Sequence, residues 1–316
     1  MYSEILHHLH VCNNFIKLFK GREEILEKIR QYIFSEERNQ PFSMYGISGS
    51  GKSSILAKAA SQIKPWVGKN CEPILIIRFL GTTPDSSSVY PLLKNLCSQI
   101  SYLYQKPIDN IPAELSNLTN YFKKLLECAT PEKPLYIFLD SLDGLSASNS
   151  AHSLSWMPVN LPKNVKIVVS TLTGYYGIVE TLRNMIEIID NFAEVQPLGE
   201  ELAWNVMNEM LANINRTISG PQLPIVREAL AQCNSPLYVK LVYDQISLWK
   251  SYTTDNVIAK SIEECIIKLF ERVENAHGRV LVSHALAYVT ASKNGLSEAE
   301  LEDLISLDET VSFNIL

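Results

Sequence analysis

Short apolar runs alternate with stretches of helical period through the first two hundred residues, and helical period alone continues after them. Pro41-Phe42-Ser43-Met44-Tyr45, the run from Pro73 to Leu80, Leu135-Tyr136-Ile137-Phe138-Leu139 and Val165 to Thr171 predict four strands, with a short fifth around Ala193-Glu194-Val195-Gln196. Leu135 to Leu139 is apolar throughout rather than at every second position, which predicts a strand buried on both faces of a parallel sheet, and the run from Pro73 to Leu80 reads as another buried strand. Between them, Leu92, Leu93, Leu96 and Ile100, then Leu115, Leu118, Tyr121, Phe122 and Leu125, recur at helical spacing. The alternation predicts an α/β fold with a doubly wound, five-stranded parallel sheet. Past Gln196-Pro197-Leu198-Gly199 the strands stop. Trp204, Val206, Met207, Met210 and Leu211 form one helical stripe, Val226, Leu230 and Cys233 a second, and Leu237, Val239, Leu241, Val242, Ile246 and Leu248 a third. From about residue 271 another unit is expected. Val280, Leu281, Ala285, Leu286 and Val289 give its first helix; Ser297 opens the next, with Glu300 in a capping box and Leu296 and Leu301 placed to staple it.

One junction between strand and helix carries chemistry. Gly46-Ile47-Ser48-Gly49-Ser50-Gly51-Lys52-Ser53 fits the pattern G-x-x-x-x-G-K-[ST], followed by a helical Ile55-Leu56-Ala57-Lys58-Ala59-Ala60. Glycines let backbone amides close around phosphates, and a helix N-terminus favours the anion. Gly46, Ser48, Gly49, Ser50, Gly51 and Ser54 are therefore candidates for the cradle, Lys52 for the β and γ phosphates, and Ser53 for Mg²⁺. A nucleoside triphosphate is the implied ligand. The metal needs an acid from a neighbouring strand, and Asp140, closing the third apolar run, is placed to supply it. Asp143, three residues on, could polarise the attacking water or cap the next helix. Thr171, at the polar end of the fourth strand, could sense the γ phosphate or be a plain strand-end hydroxyl. The guanine signature N-K-x-D is absent, which favours adenine, hence ATP or ADP with Mg²⁺.

Composition narrows the field further. The chain has 316 residues, 46% of them hydrophobic, with a net charge of −6 and no block of Lys or Arg. That is the profile of a folded protein of two or three domains, with neither nucleic acid nor membrane as the expected partner. Six cysteines lie scattered without C-x-x-C spacing, and Met1-Tyr2-Ser3-Glu4-Ile5 does not read as a signal peptide, so a reducing, cytoplasmic setting is expected. His7-His8-Leu9-His10-Val11-Cys12 resembles a metal cluster only superficially, because a helix sends these side chains to different faces.

Gly21-Arg22-Glu23-Glu24 opening an amphipathic helix, GISGSGKSS, Arg78-Phe79-Leu80-Gly81-Thr82, LYIFLDSLDGL and KIVVSTLTG together resemble the NACHT-type signal-transducing ATPases of the STAND class. More narrowly, they are similar to the NACHT and WD-repeat proteins. The likeness continues through Cys233-Asn234-Ser235-Pro236-Leu237-Tyr238-Val239 and Ala291-Ser292-Lys293-Asn294-Gly295-Leu296-Ser297-Glu298. It implies an N-terminal helical segment (1–20), a nucleotide-binding domain (21–196), a helical lid (197–270) and the start of a winged-helix domain (271–316), with any WD-repeat sensor beyond Leu316. It also implies that Lys52, Ser53, Asp140 and Asp143 act at the phosphate, the metal and the water, that Arg22 contacts the nucleotide, and that Pro236 packs on adenine. A proline at the first turn of a helix is the plainer reading of Pro236, and the two are compatible. His284 could be compared with a phosphate-sensing histidine of winged-helix domains, but core packing is the expectation. Two departures from the family pattern predict slow hydrolysis: Ser170-Thr171-Leu172-Thr173 stands where an arginine is common, and Gly144 where a third acid is common. The expected function is an ATP/ADP switch that couples nucleotide state to domain opening and self-association or partner binding. A motor of the AAA+ kind and a non-hydrolysing scaffold are the alternatives.

Overall fold

The computed structural model describes residues 2–17, 19–68, 71–108, 110–250, 257–292 and 295–311, and the chain divides into two units, Met1–Pro197 and Leu198–Leu316. In the first, β1 (Phe42–Gly46), β2 (Ile74–Phe79), β3 (Leu135–Asp140), β4 (Val165–Leu172) and β5 (Phe192–Glu194) form one sheet in the order β2-β3-β4-β1-β5. Every pairing is parallel. Successive side chains alternate between two cores, which is why β3 reads as an unbroken apolar run up to Asp140 and the other strands are mostly apolar. Ile76, Ile137, Leu139, Ile167 and Val169 face α4 (Val89–Leu103), α5 (Leu115–Leu125) and α6 (Ile178–Met185). Met44, Ile77, Phe79, Phe138 and Val168 pack in the other core with α1 (Tyr2–Lys17), α2 (Glu23–Phe34) and α3 (Lys52–Val67). The fifth strand begins and ends earlier than its sequence pattern predicts, although the Val195 amide still donates to the Tyr45 carbonyl at 2.7 Å.

At its β2 edge the sheet is covered by α1, through a stripe that hydrophobic periodicity does not score. Glu4, His8 and Cys12, spaced four apart, are the buried residues of this helix. Nδ1 of His8 accepts the Phe79 amide at 3.2 Å, a donor that an edge strand would otherwise leave unpaired, and Nε2 bonds Glu4 Oε1 at 2.8 Å. Thr83 Oγ1 donates to the same Glu4 oxygen at 2.7 Å. Nearby, buried Arg78 donates to Gln99 Oε1 at 2.6 Å and to the Ile77 carbonyl at 2.9 Å. His8 turns inward while His10 is exposed, so the two rings diverge.

The second unit is helical. Helices α7 (Glu200–Ala212), α8 (Leu223–Gln232) and α9 (Pro236–Ile246) share a core of Met207, Leu211, Val226, Leu230, Tyr238 and Val242, joined by Cys265 from α10 (Ile262–His277). Helices α11 (Arg279–Ala291) and α12 (Glu298–Leu307) follow, the latter with its capping box between Ser297 and Glu300 formed. Helix α11 forms where Val280, Leu281, Ala285, Leu286 and Val289 predict it; Val282 is its buried residue, and Leu286 and Val289 are 40% and 45% exposed. One expectation is corrected here. His284 is not a core residue: its side chain is half-buried and bonds Asp308 Oδ2 at 2.5 Å, an oxygen that Tyr288 shares. Lys293 and Asn294, within the stretch that resembles the family, lie outside the described residues.

Burial pushes the His8 imidazole down to about 4, with Arg78 and His7 acting in the same sense and the bond to Glu4 opposing it. The unfolded chain therefore takes up a proton that the fold resists. Stability is full above the ordinary histidine value and falls as the pH drops through the interval toward the depressed one. A loss of about 2 kcal/mol between pH 7 and pH 5 is expected from this group in urea denaturation. The pH slope should flatten in His8→Gln; an unchanged slope in that variant would assign the acid sensitivity to other groups.

Candidate nucleotide-binding site

The loop between β1 and α3 is shaped by backbone that only glycine adopts freely. Gly49 and Gly51 have φ of +75° and +94°, and Gly51 is the N-cap of α3 with no side-chain cap bond. The first turn of α3 carries no acid, so its amides are free of a competing carboxylate. At Gly46 a Cβ would lie 2.7 Å from the Val195 carbonyl and 3.1 Å from Ser50 Oγ, so the chain leaves β1 through a gap that admits no side chain. Ser50 Oγ is buried without a hydrogen-bond partner among the described residues. An unsatisfied hydroxyl beside uncapped helix amides fits a phosphate group. Ser48 is exposed, and Ser53 and Ser54 are half-buried on the first turn of α3.

Lys52 is 7% exposed, and its ammonium donates to the carbonyls of Gly46 at 2.9 Å and Ile47 at 2.8 Å. Burial holds its pKa below the usual lysine value, opposed by Asp140 and Asp143. Asp140, 3% exposed, closes β3. Ser170 Oγ donates to its Oδ1 at 2.5 Å and Ser141 Oγ to its Oδ2 at 3.3 Å. Burial raises the Asp140 pKa; the hydroxyls of Ser170, Ser53 and Ser141 and the charge of Lys52 work against the rise. A hydroxyl, a carboxylate and phosphate oxygens form the hard-oxygen donor set that suits Mg²⁺, and Ser53 and Asp140 would supply the first two.

Asp143 lies in the 3₁₀ turn Leu142–Gly144, and its Oδ1 accepts from the Leu172 amide at 2.8 Å and from Thr171 Oγ1 at 3.2 Å. It therefore ties the turn after β3 to the tip of β4 rather than capping a helix, and the fully buried Thr171 commits its hydroxyl to it. Gly144 has a steric cause: a Cβ there would stand 2.7 Å from the Leu80 carbonyl, and one on Gly81 would stand 2.9 Å from the Gly144 carbonyl. A third acid has no room at this position. Arg22, at φ +69°, donates from Nη2 to the Ser50 carbonyl at 3.1 Å and from Nη1 to the Pro197 carbonyl at 3.5 Å. Its partial burial holds the guanidinium pKa below the ordinary arginine value. Pro236 belongs to the second unit, where it starts α9 behind Ser235, whose hydroxyl accepts the Tyr238 amide at 3.2 Å.

The fold thus gathers Arg22, the loop from Gly46 to Ser54, Asp140, Asp143 and Thr171 within the first unit. Sequence reading missed Ser170 and Ser141. The signal for Ser170 was its place next to Thr171 at a strand end; what was lacking was the knowledge that β4 lies between β1 and β3.

Residues 40–213 match the NACHT domain family, and residues 245–315 match the NWD1-like winged helix-turn-helix domain. Human NACHT and WD repeat domain-containing protein 2 is 33% identical over 319 residues, covering 98% of this chain and 18% of that protein. Human NACHT domain- and WD repeat-containing protein 1 is 31% identical over 319 residues, covering 98% and 20%. The chain spans about a fifth of the length of these relatives, at 18% and 20%. Among solved structures, PCH-2 of C. elegans matches with a TM-score of 0.50 at 12% identity, over 84% of this chain and 72% of that one, which is a likeness of fold.

Gly144→Ala should cost about 1–3 kcal/mol, because the Leu80 backbone has to move to admit the methyl group. Thermal denaturation reads the loss. A midpoint equal to that of the parent chain would mean that the turn after β3 is loose enough to absorb it.

Proposed function

We propose that this chain, which belongs to the NACHT domain family of P-loop NTPases, is an ATP- and ADP-binding switch that hydrolyses slowly. The reading rests on one observation: Lys52 at the start of α3 and Asp140 at the end of β3 are both buried and act on each other electrostatically, while the second acid, Asp143, is engaged by the tip of β4. Mg²⁺, when bound, supplies positive charge to the phosphate oxygens as the terminal phosphoryl group departs. The loop amides from Ser48 to Ser54 cradle the phosphates, Lys52 adds its point charge, and Ser53 and Asp140 hold the cation. Arg22 orders the loop through the Ser50 carbonyl and lies along the nucleotide. Thr171 responds to the γ phosphate through Asp143. Pro236 contributes to adenine from the helical lid.

Asp143 acts on the attacking water with the oxygen that Thr171 and Leu172 leave free, and no arginine follows β4 to stabilise developing charge. Both features support slow turnover. In a switch the nucleotide is a ligand whose identity biases the helical units toward an arrangement that self-associates or docks a protein partner. The free cysteines support a cytoplasmic setting, and among the described residues no helix is long and apolar enough to cross a membrane.

Denaturing freshly purified protein and identifying the released nucleotide by chromatography, with ATP hydrolysis followed across protein concentrations, tests the reading. Stoichiometric ADP with slow, concentration-independent turnover is expected. An empty site with turnover that climbs with concentration would replace it with a motor built from shared active sites, and bound ATP that is never cleaved with a scaffold.

Lys52→Ala should weaken triphosphate binding by about 1.5–3 kcal/mol, roughly 10- to 100-fold in Kd. Asp143→Asn keeps an oxygen for Leu172 and Thr171, so it should leave binding and thermal midpoint unchanged and slow single-turnover hydrolysis about 100-fold. Hydrolysis at the parent rate in that variant would remove Asp143 from the mechanism.

A further inference from the structure

Ser170 is fully buried two residues before the end of β4, and neither hydrogen bond of its side chain belongs to the β-ladder. It donates to Asp140 Oδ1 at 2.5 Å and accepts the Ser141 amide at 2.9 Å. A hydroxyl has a single proton, and here it is committed to one carboxylate oxygen. Ser141 sits at φ +57°, a left-handed conformation that a serine adopts only when its surroundings hold it there. Ser170 thus secures both ends of the β3 terminus, the carboxylate and the turn that follows.

The consequence falls on the other oxygen. The terminal torsion of an aspartate is broad and twofold, so without an anchor the carboxylate samples several planes. With Oδ1 fixed, Oδ2 is left to the side where Ser141 Oγ stands at 3.3 Å, and the Ser53 hydroxyl is close enough to the same carboxylate to help hold its pKa down. Parallel pairing puts the anchor in place: Met44 of β1 is in register with Ser170, and Leu139 with Val169. The residue that holds the metal-binding acid therefore comes from the strand lying between the phosphate-loop strand and the acid's own strand.

We propose that Ser170 is the positioning residue for the metal-holding carboxylate, fixing Asp140 so that one oxygen is reserved for Ser53 and a divalent cation. The proposal rests on the nucleotide reading above, and its test separates the two. Binding of a fluorescent ADP analogue to the chain is measured in EDTA and across a Mg²⁺ titration. In Ser170→Ala the EDTA affinity should match that of the parent chain, while the Mg²⁺ concentration for half-maximal tightening should rise roughly 10- to 100-fold, the usual consequence of losing an outer-shell partner of a metal ligand. Ser170→Thr, which keeps the hydroxyl, should recover most of the shift, and Ser170→Cys, near-isosteric with a weak donor, gives the same reading should the alanine variant not fold. A Mg²⁺ midpoint unchanged in the alanine and cysteine variants overturns the proposal while the nucleotide reading stands. An equal loss in EDTA and Mg²⁺ also overturns it, since Ser170 would then serve only the shape of the loop. A parent chain that binds nucleotide in neither condition overturns the nucleotide reading itself, and the role of Ser170 with it.

Discussion

A carboxylate with almost no access to water, Asp140 at the end of β3, is the constraint around which the first unit is arranged. A buried charge without partners costs several kcal/mol, and the fold meets that cost with hydroxyls and one ammonium brought from three separate segments. Ser170 comes from β4, Ser141 from the turn that follows β3, and Ser53 and Lys52 from α3. No two neighbouring strands in sequence could supply this set. It requires β4 to lie between β1 and β3, and the order β2-β3-β4-β1-β5 places it there.

The same insertion limits what the site can do. Both hydroxyls at the β4 tip are committed, Ser170 to Asp140 and Thr171 to Asp143, and the backbone of the turn after β3 touches that of Leu80 and Gly81 too closely for a side chain at Gly144. Stability and chemistry draw on the same atoms. An acid whose oxygen already accepts a backbone amide is well oriented but less free to accept a proton from water, which supports the slow turnover proposed. At the far edge of the sheet α1 uses a comparable device. His8 accepts an otherwise unpaired strand amide, and its other nitrogen is held by Glu4, so polar side chains on the buried face of a helix help to close a sheet edge.

The central strands were legible because each lies between two cores, which makes its run of residues mostly apolar, and the phosphate loop because its chemistry fixes both residue types and spacing. Asp140 followed from the apolar run that it closes. Ser170 could not be singled out, since its role depends on a strand order that no local pattern encodes. The stripe Glu4, His8 and Cys12 has helical spacing but is polar, so a hydrophobic pattern passes over it. In α11 the pattern predicted the helix without fixing which residues are buried: Leu286 and Val289 have helical spacing but remain exposed, and His284 finds its partner in Asp308, twenty-four residues away in the chain. Periodicity reports which face of a helix could be buried, whereas burial itself depends on what packs against it.

This contrast bears on how a switch could work. Helices α7 to α9 share a closed apolar core, whereas Cys265 and Val282 are the buried residues of α10 and α11, and α12 has none. The link between α11 and α12 is polar, with Asp308 accepting from Tyr288 and paired with His284. Elements with little apolar burial sit at the low end of local stability, where a ligand's differential affinity of a few kcal/mol is enough to change which arrangement dominates. In the proposed switch, a nucleotide bound beside the anchored Asp140 would bias such elements without displacing that carboxylate. Rigidity at Asp140 and looseness in α10 to α12 are therefore complementary requirements of the proposed switch, and a chain that was uniformly well packed would have nothing for the nucleotide to move.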